Sequence, residues 1–301
     1  MYDKELTENL EIIKKAHSIL KMANPFYSNT MTMQASFFPG LSEKDYNGLD
    51  NSLKAIRQDY AKVLTIMNSI EKTYTEYREN TYKSVYTSVI NDQAIEELGC
   101  FIEYLFAKYN VILEHIMEVS SRLIVPRLNT DLKKQYKNNK YLFLLNYIAE
   151  RTTDSLNLLN LDWYKNLVED RNHIIHRGAT CYVFYDKDMD RTLRFKVMTT
   201  DFLDNDTELA ENPFYATENN LIDYTNYWGL YLSKLIVFFK TIWDFLLSNS
   251  EISPEQEACL KIFGAENGIL MEIDGYKLPE KQDVLLHLLE SIIDSEGKIS
   301  K

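Results

Sequence analysis

The chain has 301 residues, a formal net charge of -12 and 3 cysteines. Three widely spaced thiols (Cys100, Cys181, Cys259) exclude a disulfide framework and a cysteine-rich zinc site. The acidic balance excludes a protein that coats nucleic acid by bulk charge, so contact with RNA or DNA requires a local basic patch. At 45% hydrophobic and 26% charged residues, with only 9 Gly and 6 Pro, the composition is that of a folded globular protein and disfavours loop-rich β architectures.

In chain order the reading is mainly α. Leu6, Leu10, Ile13, Ala16 and Leu20 repeat at helical spacing over 4–22. A loop over 24–48 carries Phe26, Phe37 and Phe38 and is expected to pack down. Leu53, Ile56, Tyr60, Val63, Leu64, Met67 and Ile70 define a helix over 49–78. Residues 80–87 are ambiguous. A third long helix starts at Asn91 or Asp92 as N-cap, and Pro126 ends it. Residues 140–150 form a shorter helix. Asp162 is expected to cap the next one, with Gly178 at its C′ position. After Gly178 the period changes. Cys181–Tyr185 is rich in β-formers, and Leu193, Phe195 and Val197 alternate with Arg194 and Lys196, which predicts a β-hairpin. Residues 201–217 read as loop and 219–247 as a long helix. Its aromatic face (Tyr224, Tyr227, Trp228, Tyr231 and others) is expected in the core or at a dimer interface.

The last 51 residues differ, with 11 acidic and 5 basic side chains. Helix is expected there after Ser253-Pro254 and over Gln282–Ile293. Three regions follow: a helical segment over 1–80 packing on the core, a bundle over 81–250 with the hairpin at about 180–199, and an acidic C-terminal subdomain over 251–301. The opening MYDKELTENLEIIKK lacks a basic-then-apolar signal design. The most apolar stretch, 230–247, is interrupted by Lys234, Lys240 and Asp244, so no membrane span is expected. The expected setting is a reducing cytoplasm. Cys100, Cys181 and Cys259 are expected as buried small hydrophobes.

The sequence holds no Gly-rich phosphate loop, no GxSxG elbow and no HExxH. His17, His115 and His287 lack partners at ligand spacing, so neither metal nor cofactor is expected. The informative segment is Glu169-Asp170-Arg171-Asn172-His173-Ile174-Ile175-His176-Arg177-Gly178. On a helix, Asn172 and His176 share a face, as do His173 and Arg177. Asn172 is then placed to hydrogen-bond the His176 imidazole and fix its tautomer. A His that moves a proton beside a guanidinium that grips a phosphate is the minimum for metal-free phosphodiester cleavage.

Arg171-Asn172-x-x-x-His176 resembles the R-[polar]-x3-H form of the Rx4-6H motif of the HEPN superfamily, helical-bundle proteins of bacterial toxin, antiphage and RNA-processing systems. The resemblance implies a HEPN-like bundle, here with a β-hairpin after the motif helix and additional N- and C-terminal helical segments. It further implies a homodimeric, metal-independent endoribonuclease, in toxin-antitoxin or phage-defence biology, whose paired motifs form one composite cleft. Attack of the RNA 2′-hydroxyl would leave a cyclic phosphate. Carried over by position, Arg171 grips the phosphate, Asn172 orients and His176 is the acid/base. His173 and Arg177 flank the substrate. The likeness covers one helix directly and the bundle from about 91 to 247 loosely. The Tyr that one subset carries two residues past the His is Gly178 here, so the chain is not placed in that branch.

One basic stretch bears on RNA. Arg122, Arg127, Lys133, Lys134, Lys137 and Lys140 face a single acid, Asp131, with Tyr136 and Tyr141 available for base stacking. It reads either as a solvated basic loop or as an RNA track leading to the motif. Two other readings stand beside the nuclease. One is a non-catalytic HEPN-like module that binds a nucleotide, RNA or protein partner (an antitoxin or regulator among them) in the same cleft. The other is a helical scaffold whose acidic tail docks a basic partner.

Overall fold

The computed structural model describes residues 42–83, 93–185, 193–198 and 221–249. The expected helix over 4–22, the loops at 24–41 and 201–217, Cys259 and the acidic region 251–301 lie outside the described residues.

Helix α1, Glu43–Lys83, is longer at both ends than the helix expected over 49–78. Its buried hydrophobic residues are Leu49, Leu53, Ile56, Tyr60, Val63, Met67, Ile70 and Tyr74. Their steps alternate between four and three, a 3.5-residue period that keeps one seam against a partner helix over about 40 Å. That partner is α2, Gln93–Ile124. Asp59 links the two helices from a nearly buried position, accepting from Lys62 Nζ at 2.9 Å and Lys108 Nζ at 3.0 Å. Burial raises the Asp59 carboxyl, but the two lysines more than offset this and hold it below its ordinary value.

Helix α2 is the spine, with α1, the first strand and three other helices all packed on it. It ends at Ile124 because Pro126 opens a 3₁₀ turn, Val125–Arg127. Asn129 then accepts from the Leu132 amide at 2.9 Å and caps α3, Thr130–Asn138. This polar helix, with only Leu132 and Tyr136 half-buried, stands where sequence alone placed no element. Helix α4, Lys140–Ala149, follows.

The motif helix α5 covers Lys165–Arg177. Asp162 is not its cap: Asp162–Tyr164 is a separate 3₁₀ turn, Tyr164 occupies the N-cap position, and Asp162 Oδ1 meets Lys165 Nζ at 2.7 Å. The other end is as expected. Gly178 adopts φ 67°, a left-handed conformation open to glycine, and the Ala179 amide returns to the His173 carbonyl at 3.1 Å.

The hairpin pairs β1, Thr180–Tyr185, with β2, Leu193–Met198, in antiparallel register, with Cys181 opposite Val197 and Val183 opposite Phe195. These four and Leu193 are buried, while Tyr182 faces out and Arg194 and Lys196 are half-buried. A two-residue strand unseen in the sequence, β3 (Ile222–Asp223), pairs with β2 and completes a three-stranded sheet. Helix α6, Tyr224–Ser248, starts directly after it. Its aromatic residues are core. Trp228 meets Phe106 of α2 edge-on at 5.0 Å, and Tyr109 donates to the Tyr231 carbonyl at 2.5 Å. Among the described residues the architecture is thus mainly helical, six helices with α2 as the spine and a small antiparallel sheet. No described helix is long and apolar enough to cross a membrane.

The two described cysteines differ. Cys181 is buried on β1, where burial pushes its thiol well above the ordinary value. Cys100 is exposed, contrary to expectation. Its neighbour Gly99 instead takes the inward position, so close to β1 that a Cβ there would lie 2.4 Å from the Cys181 carbonyl oxygen.

Candidate active site

The last two turns of α5 carry the motif. Leu167 and Asp170 face inward. Arg171 and Asn172 are half-buried, and Ile175, His176 and Arg177 are exposed. Arg171 Nη1 donates to Asn172 Oδ1 at 3.0 Å and lies 3.3 Å from His176 Nε2. A guanidinium has no lone pair to accept with, so His176 Nε2 must be the acceptor, with the ring proton on Nδ1. This corrects the sequence reading: Arg171, not Asn172, contacts the imidazole. Asn172 holds the guanidinium instead.

Arg171 has a second unusual property. Its Nε is shut off from solvent with no hydrogen-bond partner, and no carboxylate pairs with it among the described residues. Its charge is felt by the Tyr164 hydroxyl, which donates to Asn110 Oδ1 of α2. Burial, then the charge of Glu114, push that hydroxyl up, and Arg171 opposes them. A half-buried guanidinium without a counter-ion is poised for an anionic ligand, because the cost of burying its charge falls when an anion arrives.

Behind the motif lies a group whose importance sequence reasoning missed. Asp170 is only 4% exposed. Tyr227 of α6 donates to its Oδ2 at 3.4 Å. Burial pushes its carboxyl well above the ordinary value, against the Tyr227 bond and helped by Glu169. The signal was its spacing, three after Leu167, which puts it on the inward stripe.

The flanking residues divide. His173 is half-buried, with Nδ1 sealed and unbonded, while Arg177 stands in solvent, and the pair makes no hydrogen bond. Comparison of the chain with protein-family models, with curated proteins and with solved structures finds no match. The site is therefore read from its own geometry.

Among the described residues no hydrogen bond or ion pair joins the basic segment to the motif. Helices α5 and α2 run antiparallel: Tyr164 meets Asn110, whereas the Cys181 amide, just past α5, donates to Glu103 Oε1 at 2.8 Å. At the other end of α2, Tyr136 of α3 shares a 2.7 Å hydrogen bond with Ser121. At 1.5 Å per residue Ser121 and Asn110 are about 17 Å apart along α2, and the charge of Glu114 between them acts on both Tyr141 and Tyr164. Arg122 is engaged locally, 2.7 Å from Glu118 and 3.8 Å from Asp45. Arg127 donates to the Asn249 carbonyl at 2.6 Å, and Lys133 to that of Pro126 at 3.4 Å. Lys134 lies 3.8 Å from Asp131. Lys137 and Lys140 are exposed, without a partner among the described residues. No group of three or more His, Cys, Asp or Glu side chains is arranged to hold a metal ion among the described residues.

Proposed function

We propose that the protein is a metal-independent, HEPN-like endoribonuclease that acts as a homodimer, a toxin or phage-defence effector of the cytoplasm. The observation that carries this reading is the Arg171–His176 pair: a half-buried guanidinium with no carboxylate partner among the described residues, its Nη1 3.3 Å from an imidazole Nε2 that must accept. An anionic phosphodiester entering this site takes the Arg171 donors. His176 Nε2 is thereby released, beside the phosphate, as a proton acceptor.

The chemistry then balances. The O2′ proton passes to His176 Nε2 as the P–O2′ bond forms, and Arg171 neutralises charge on the non-bridging oxygens. The P–O5′ bond breaks, and the departing 5′ oxygen takes a proton from an imidazolium. The products are a 2′,3′-cyclic phosphate and a 5′-hydroxyl. In a symmetric dimer the second copy's motif supplies that proton donor.

The test is RNA cleavage in EDTA by wild type and His176→Ala, on total RNA and a structured transfer RNA, with oligomeric state followed by sedimentation. Wild-type cleavage to cyclic-phosphate ends, absent in a folded, dimeric His176→Ala, is the expected result. Equal cleavage by both would remove His176 from the mechanism. Binding of RNA or a nucleotide by a folded dimer that never cleaves would make the cleft an anion-binding module instead.

A further inference from the structure

We propose that the acidic C-terminal segment, residues 251–301, docks on the basic, apolar-edged surface formed by α3 and the start of α4. This does not depend on the ribonuclease reading.

The surface combines two features seldom left open together. Lys133, Lys134, Lys137 and Lys140 are all exposed, against the single acid Asp131. Beside them Tyr141 is 44% and Leu142 50% exposed, two of the four exposed large hydrophobic side chains among the described residues. Isolated apolar side chains need no partner, but an adjacent pair within a lysine cluster fits an amphipathic, acidic one.

The chain itself provides that partner. Residues 251–301 hold 11 acidic and 5 basic side chains. Within 282–293 and just beyond, Asp283, Glu290 and Asp294 repeat at helical spacing, with Leu285, Leu288, Leu289 and Ile292 on the other side. The acids match the lysines, and the leucines match Tyr141 and Leu142.

The exit point favours this occupant over a separate protein. Helix α6 ends at Ser248, and the carbonyl of the next residue, Asn249, accepts from Arg127 at 2.6 Å. Arg127 belongs to the turn whose Pro126 carbonyl accepts from Lys133. The C-terminal segment therefore leaves the core at the edge of the patch. The 33 residues between Asn249 and Asp283 are ample to reach back. Tethering gives a millimolar effective concentration, at which even weak charge pairing holds.

The experiment is zero-length carbodiimide crosslinking of the dilute full chain, read by mass spectrometry, in an equal mixture of unlabelled and heavy-isotope protein. The expected result is single-isotope crosslinks from Lys133, Lys134, Lys137 or Lys140 to carboxylates of 280–296, lost in high salt. Lys134→Glu with Lys137→Glu should also abolish those from the unsubstituted Lys133 and Lys140. So should Glu290→Lys with Asp294→Lys. Joining all four substitutions should restore them. Circular dichroism and Tm should be unchanged, because the patch residues replaced are exposed. Absence of patch-to-tail crosslinks in wild type overturns the proposal if the exposed Lys165–Asp162 pair, 2.7 Å apart, does couple. Mixed-isotope crosslinks alone overturn it in favour of a second copy. Lysines without tail crosslinks that RNA shields from acetylation overturn it in favour of a nucleic-acid surface.

Discussion

Two arginines lie along α2, Arg122 on it and Arg171 on α5 beside it, and their surroundings treat them in opposite ways. At the C-terminal end Arg122 has two acids, Glu118 and Asp45. Beside the middle of the helix Arg171 has none among the described residues, and its donors go to an amide oxygen and an imidazole. By charge count the first region is the cationic one. By counter-ion it is the second that lacks neutralisation, and partial burial makes that lack matter. A guanidinium already paired with carboxylates gives up those bonds to take a phosphate, whereas an unpaired one does not.

The largest expected effect comes from removing the unpaired arginine. Arg171→Ala should lower the cleavage rate by roughly 10²–10³-fold, the scale of a lost transition-state donor. Arg171→Lys should recover only part, since a point charge does not replace a planar fork. Full activity in Arg171→Ala, measured by single-turnover cleavage of a fluorescent RNA, would make the pair a structural contact.

Supplying the missing counter-ion is a gentler test. Ile175 is 48% exposed and lies four residues after Arg171 on the same helix face. Ile175→Glu would bring a carboxylate to the guanidinium, and cleavage should fall roughly 10- to 100-fold, the worth of one charge-assisted hydrogen bond. Ile175→Gln, with the same shape and no charge, separates this effect from any loss of an apolar contact. Equal rates for the two variants would show that the anion does not bind at Arg171.

How much of this was legible in the sequence depends on the range of the interaction. The α1 seam was readable because Leu53 through Ile70 carry their own period. Gly178 was readable because a left-handed helix end needs that residue locally, and β1 and β2 because alternation is local too. Strand β3 was not: two residues have no period, and Ile222–Asp223 is a strand only because β2 lies beside it. Helix α3 lacked an apolar stripe and rests on the Asn129 cap and half-buried Leu132 and Tyr136. In the site, motif spacing put Asn172 and His176 on one face and Arg171 one position round the helix. Which of them bond depends on rotamers that spacing does not encode, so the bridging role of Arg171 was invisible. Cys100 faces solvent because Gly99 spends the inward position on close approach to β1.

Behind the motif, Asp170 offers a stability test of the same site. Its folded-state carboxyl is raised above the unfolded value, so its stabilising contribution is complete below about pH 4 and is lost as pH rises. Asp170→Asn keeps an acceptor for Tyr227 and removes the charge. The variant should match wild type near pH 4 and become the more stable of the two as pH rises toward 7, because the wild-type carboxyl must then ionise against its burial. Urea midpoints at several pH values decide it. A variant less stable at every pH would mean that the carboxylate is needed as such.

The smallest effect is expected at the paired arginine. Arg122 is part-exposed, as are Glu118 and Asp45, so the two ion pairs are worth between nothing and about 1 kcal/mol, less at high salt. Its Nε is sealed without a partner, which offsets part of that gain. The guanidinium lies over Gly48 of α1, where an added Cβ would come within 2.3 Å of Nη1. Arg122→Gln should therefore shift the thermal midpoint only slightly, and the shift should shrink as salt rises. Gly48→Ala displaces the end of a flexible side chain rather than backbone, while alanine in a helix gains about 0.5–1 kcal/mol over glycine. The two terms nearly cancel, so Gly48→Ala should leave stability within about 0.5 kcal/mol of wild type. A loss of several kcal/mol in either variant would show that Arg122 locks α1 to α2, and the contrast between a paired arginine and a poised one would then need redrawing.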